Sequence, residues 1–191
     1  MSIRKSKLAN LPFAKELVLV ANAYAWKGNR KFVSEFAAWS DWHRRIIRKT
    51  IPPLIMSLLI GFFGKTTQDT RISTLVLEIF PSLLGFGIGV FALLFIFPPR
   101  FHKDMESLGK KSGFSIQIFP ADMAYPLVIL TISILIAFIS NLFNAGITTQ
   151  VIEGFLFIYG LLMTLELIGV LFMAAIKIIG DPVNSSNTPD E

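Results

Sequence analysis

Val151-Ile-Glu-Gly-Phe-Leu-Phe-Ile-Tyr-Gly-Leu-Leu-Met-Thr-Leu-Glu166-Leu-Ile-Gly-Val-Leu-Phe-Met-Ala-Ala-Ile176 is the longest apolar run of the chain. Between Glu153 and Lys177 its only acidic or basic residue is Glu166. A membrane-spanning helix needs about 20 apolar residues, and this run supplies them. Glu166 is then expected near the bilayer centre, where acids are costly, rare and by default candidates for function. On a helix, Tyr159, Met163, Val170 and Lys177 share its approximate face. Lys177 is about 16 Å away along the axis, too far for a direct salt bridge. A partner must therefore come from another helix or subunit, and Thr131, Ser133, Ser140 and Asn141 are the polar groups expected to be available. Either Glu166 lines a hydrated path, or it is a protonated carboxyl making one interhelical hydrogen bond.

Three further apolar segments precede this run: Ile51 to Gly64, Leu75 to Phe97 and Pro126 to Phe143. The first is short for a span, and the distribution of charge decides how to read it. If it crosses, the 18 Lys and Arg divide into sixteen on one side and two on the other. If it does not cross, they divide thirteen to five. The positive-inside rule prefers the first division. The expected fold is all-α: a polytopic membrane protein with four transmembrane helices over residues 51–180. Both termini are cytoplasmic, and amphipathic helices precede the first span. The composition agrees, with 53% hydrophobic and 16% charged residues, against about 25% charged in soluble domains.

Residues 1–50 read as a cytoplasmic or interfacial region. One helix is expected to start at Asn10 and Pro12 and to carry Phe13, Leu17, Val20 and Tyr24 until Gly28 interrupts it. A second is expected from Lys31 towards Lys49, with Phe32, Phe36, Trp39, His43 and Ile46 along one stripe. All three tryptophans, Trp26, Trp39 and Trp42, fall here beside Arg44, Arg45 and Arg48. Tryptophan among basic residues marks the membrane interface, so the lipid bilayer is the expected partner of this surface and direct nucleic-acid binding is not expected. The stripe equally suits packing on the protein's own helices, since amphipathicity does not say what covers it.

The loop at 98–125 is the other soluble piece. Arg100, Lys103, Lys110 and Lys111 make it basic, and Phe114, Ile116 and Ile118 alternate with Ser115, Gln117 and Phe119, a short strand or an extended interfacial segment and a docking edge for a cytoplasmic partner. The tail at 181–191 is polar and expected to be disordered. In the second span, Gly85 and Gly89 form a small-xxx-small pair and Pro81 a potential kink, a basis for helix packing or homo-oligomer formation. Glu78 and Glu153 are expected at the outer helix ends, as an acidic ring at a mouth or as solvated headgroup-layer residues. Tyr159 and Asn141 complete the intramembrane polar set.

No nucleophile and base are grouped for catalysis, and cysteine is absent. An enzyme, a metal site and a cofactor are therefore not expected. Arg44-Arg45-Ile-Ile-Arg48-Lys49 leads into Ile51-Pro52-Pro53, then the apolar segments and the compact Pro98–Tyr125 loop follow. In size and topology this resembles the membrane component of the Kiwa anti-phage defence system, over most of the chain and without a specific motif. The resemblance implies four spans, an oligomeric membrane sensor of phage attack, and recruitment of a DNA-binding partner through cytoplasmic surfaces. The competing expectation from the residues alone is a small ion channel or pore-forming effector using Glu166, Glu78 or Glu153.

Overall fold

A computed structural model describes residues 14–63, 71–96, 118–142 and 146–180. The described elements are helical: α1 (Ala14–Ala25), α2 (Trp39–Trp42), α3 (Arg48–Phe63), α4 (Ile72–Ile96), α5 (Ile118–Asn141) and α6 (Ile147–Gly180). Three of them, over Ile72–Ala92, Phe119–Asn141 and Ile147–Met173, are long and apolar enough to cross a membrane. A helix pairs its interior backbone polar groups within itself, which is what an apolar solvent demands.

The long helix α6 is the hub. It packs on α3, α4 and α5, while α4 packs on α5 and α1 lies against α5. Val76, Phe80, Leu130 and Ala137 form the buried seam on one level, and Met123, Leu127 and Leu167 form it on another. Close approach depends on glycine at Gly160, where an added Cβ would stand 2.5 Å from Cε2 of the Phe80 ring. Gly87 lies similarly against Leu127. Gly85 and Gly89, the pair singled out in the sequence, have open space at the Cβ position. Gly160→Ala should therefore overpack the seam and destabilise by about 1–3 kcal/mol. Gly85→Ala should leave the stability of the subunit unchanged or slightly raised. Thermal unfolding in detergent checks both; equal effects would contradict this packing.

Three expectations are revised. The helix expected from Lys31 to Lys49 is broken. Arg30–Val33 is a single 3-10 turn, and the α-helical path begins only at Trp39. From there it continues through a π turn at His43–Ile47 into α3, so the expected interfacial helix and the first apolar segment form one helical path from Trp39 to Phe63. Pro52 and Pro53 lie inside it. The loop expected to reach Tyr125 ends earlier, because α5 starts at Ile118, and Ile118 and Phe119, expected in a strand or extended segment, are helical. Pro120 falls in its first turn, where a missing N–H costs nothing. Arg100, Lys103, Lys110, Lys111, Phe114 and Ile116 lie outside the described residues, as do Asn10, Pro12 and the tail.

The end of α1 is well defined. Lys27 and Gly28 adopt φ of 53° and 68°. Gly28 N–H donates to the Ala23 carbonyl at 2.8 Å and Lys27 N–H to that of Tyr24 at 3.2 Å, the paired bonds of a Schellman ending. The following turn is held by Asn22, which is fully buried. Its amide donates to the carbonyls of Phe32 at 3.0 Å and Glu35 at 2.8 Å, and its Oδ1 accepts from Ala37 N–H at 2.8 Å.

Candidate functional site

Glu166 has a basic partner, and it comes from the N-terminal side of the bundle. Lys49, in the first turn of α3, donates from Nζ to Oε1 at 2.6 Å and to Oε2 at 2.7 Å. Tyr24, near the end of α1, donates its hydroxyl to Oε1 at 2.6 Å. The same phenolic oxygen accepts from Lys49 at 2.7 Å. Carboxylate, ammonium and phenol thus close a triangle drawn from three helices. Burial, and then the hydrogen bond to Glu166, push the Tyr24 phenol above its ordinary range, so its O–H is present to donate. Glu166 is an ion-paired group here, in place of a lone protonated carboxyl with one hydrogen bond.

A second ion pair also lies against Tyr24. Arg45, within the π turn, forks onto Asp122 of α5, with Nη1 to Oδ1 at 3.0 Å and Nη2 to Oδ2 at 3.2 Å. Its Nη1 also donates to the Tyr24 carbonyl at 2.6 Å, and the guanidinium sits 4.5 Å from the centroid of the Tyr24 ring. Tyr24 in turn stacks on Tyr125 at 4.1 Å, and the Tyr125 hydroxyl meets that of Tyr159 at 3.0 Å. The tyrosines, with Met163, form a buried cluster against Val20 and Ile46. Two acids and two bases therefore neutralise each other around one aromatic ring. Side-chain exposure of 10% at Asp122 and 16% at Arg45 makes that pair the drier one; Lys49 retains 37% and Glu166 20%.

This arrangement also sets the level of Glu166. Lys49 precedes the first apolar residue of α3, and Asp122 stands near the start of the span Phe119–Asn141. Glu166 therefore belongs to the end of the bundle where α3 and α5 begin, away from its middle. Bidentate, charge-assisted bonds of this kind hold groups in defined geometry. Chemically the site is a clasp: it fastens α1 to α3, α5 and α6.

The other expected site residues are dispersed. Glu153 is buried at the opposite end, where its carboxylate accepts from the Ser140 hydroxyl and, at 3.1 Å, from Ser73 N–H. Ser73 donates its hydroxyl to Asn141 Oδ1 at 3.0 Å. This links the first turn of α4, the last turn of α5 and α6. Glu78 is exposed, so the two acids share no surface within the subunit. Pro81 is exposed on α4 beside the open face of Gly85 and Gly89. Trp39, Arg44 and Arg48 are exposed, Trp26 and Trp42 half-buried, and Arg45 is turned inward. Among the described residues, no three of His, Asp and Glu gather as a metal-ligand set.

Sequence reasoning missed Lys49, Tyr24, Asp122 and Asn22 as members of buried polar networks. Lys49 reads as a snorkelling base at the edge of an apolar run, and Tyr24 as one more apolar position. One signal was available: Asp122 is the only acid between Glu106 and Glu153, and it stands at the edge of an apolar segment where a counter-charge is needed. Comparison with protein-family models, curated proteins and solved structures finds no match.

Proposed function

We propose that this protein is a non-enzymatic, multi-pass scaffold or sensor of the bacterial inner membrane. It assembles as a homo-oligomer and recruits a soluble cytoplasmic partner, in anti-phage defence of the kind the resemblance to Kiwa implies. The observation that carries the reading is the clasp. Two ion pairs around Tyr24 join the segment preceding the membrane helices to α3, α5 and α6. A displacement of the membrane helices would then be passed to the cytoplasmic face through a fixed connection. Neutralisation of Glu166 by Lys49 supports this reading over a pore, because the acid best placed to line a path is committed to a partner.

In this reading α3 is a fourth span. Its flanks display Ile51, Leu54, Ile55, Leu58, Leu59 and Phe62 at exposures between 39% and 71%, which suits lipid and not water. The charge asymmetry then supports a cytoplasmic position for both termini and residues 98–117. The open face of Gly85 and Gly89 suits close approach of a second copy.

The test is purification of the tagged full chain from bacterial membranes together with topology mapping. The natural sequence has no cysteine, so Thr67→Cys and Ser185→Cys report singly. Thr67→Cys should react with an impermeant maleimide from outside and Ser185→Cys only after lysis. A stoichiometric soluble partner should co-purify, survive Glu166→Gln and be lost on replacement of residues 100–116. Cells expressing the chain with that partner should plate phage at reduced efficiency. Ion conductance in reconstituted bilayers that changes with Glu166→Gln, without any soluble partner, would overturn the proposal in favour of a pore.

A further inference from the structure

The π turn divides the arginines of the N-terminal helical path between two tasks. Arg45 faces inward to Asp122. Arg44 and Arg48 face outward and, with Trp39, Ser40 and His43, line an exposed groove of about 660 Å³. Arg48 N–H donates to the His43 carbonyl, five residues back. That wider turn brings positions five apart onto one face, which adds His43 to the Arg44–Arg48 edge. Among the described residues, no carboxylate lines the groove.

We infer that this groove binds the phosphate of an anionic phospholipid in the cytoplasmic leaflet. The inference rests on the reading of α3 as a membrane helix. Its basis is continuity: Arg44, Arg48, Ile51, Ile55, Leu58 and Phe62 follow one another at spacings of four and three, and all are exposed. The face that would meet acyl chains thus runs directly into the basic groove. At 1.5 Å per residue, Arg48 stands about 5 Å and Arg44 about 11 Å beyond Ile51, the depth of a headgroup layer. Guanidinium forks match phosphate oxygens bidentately. The Ser40 hydroxyl and His43 imidazole add hydrogen-bonding groups. Trp39, 74% exposed, is the amphipathic ring suited to the membrane–water boundary.

The experiment uses the full chain in mild detergent and counts lipid adducts by native mass spectrometry. Phosphatidylglycerol should be retained at least about tenfold over phosphatidylcholine of the same acyl chains. Each basic side chain at an anionic surface contributes about fivefold, so Arg44→Gln with Arg48→Gln should weaken phosphatidylglycerol binding about twentyfold and leave phosphatidylcholine unchanged. Lys15→Gln with Lys31→Gln, exposed bases elsewhere, should leave the preference intact. The assignment is overturned if the arginine pair has no effect, or if the lysine pair has an equal one. It is also overturned if inorganic phosphate or a DNA duplex at matched concentration displaces the lipid. Leu58→Cys in native membranes separates the two levels. If it reacts with an impermeant maleimide, the reading of α3 fails and the lipid site with it. If it stays unreactive while phosphatidylglycerol shows no preference, the lipid site alone is overturned.

Discussion

Arg45→Ala is expected to release the N-terminal segment from the bundle and to lower stability by about 3–5 kcal/mol. The side chain makes three hydrogen bonds at once, two to Asp122 and one to the Tyr24 carbonyl, and covers the Tyr24 ring. Its removal leaves the Asp122 carboxylate, 10% exposed, without a counter-ion. The cost is mostly that uncompensated charge, which exceeds the net worth of the intact pair. At about 2–4 °C per kcal/mol for a chain of this size, thermal unfolding in detergent should fall by roughly 6–20 °C. Hydrogen exchange should show the largest loss of protection in Ala14–Ala25, ahead of the seam of α4, α5 and α6. Arg45→Lys should recover little, because an ammonium cannot fork onto a carboxylate and reach the carbonyl together. Unchanged exchange in α1 after Arg45→Ala would remove the basis for the clasp.

Glu166 and Lys49 should behave as a coupled pair. Lys49→Met leaves Glu166 with the Tyr24 hydroxyl alone, and Glu166→Leu leaves the ammonium with only the Tyr24 oxygen and the phenol O–H without its acceptor. Each is expected to cost about 2–3 kcal/mol, below the full buried-pair value because the Lys49 side chain keeps 37% of its exposure and solvent screens it. The double variant Lys49→Met with Glu166→Leu should recover most of the loss, since apolar groups of similar volume need no desolvation of charge. A double-mutant cycle should return a coupling of about 1–3 kcal/mol. Additive single effects would mean that the two side chains stand near each other without acting on each other. Glu166→Gln should be the mildest variant, because its amide oxygen still accepts from both donors.

The positions of the membrane helices were legible in the chain because apolar length is a direct physical signal. An apolar run of about 20 residues has one way to satisfy its backbone away from water, and the cores of α4, α5 and α6 fall on the expected segments. Element ends were less legible. Pro120 and Asp122 gave the start of α5 the appearance of a loop, yet proline costs nothing in a first helical turn, and Asp122 is tolerable there because Arg45 reaches it. The break after Val33 and the helical join from Trp39 into α3 were misread for a related reason. The stripe of Phe32, Phe36, Trp39 and His43 has helical spacing, but Asn22 holds the backbone of Phe32, Glu35 and Ala37 in a turn from outside the segment.

Glu166 shows where the division falls. A lone acid in an apolar helix must be neutralised or hydrated, so the sequence by itself determined that a partner from another helix or subunit was needed. Which partner, and at what depth, was decided by tertiary structure. Lys49 lies 117 positions away and Tyr24 lies 142 away, and no local periodicity carries information over such separations. The packing of α3 on α6 and of α1 on α5 brings both to one carboxylate. Charge in a poorly solvated place is attracted over a few ångströms of space, whatever the distance along the chain, and only the fold determines which groups are brought that close.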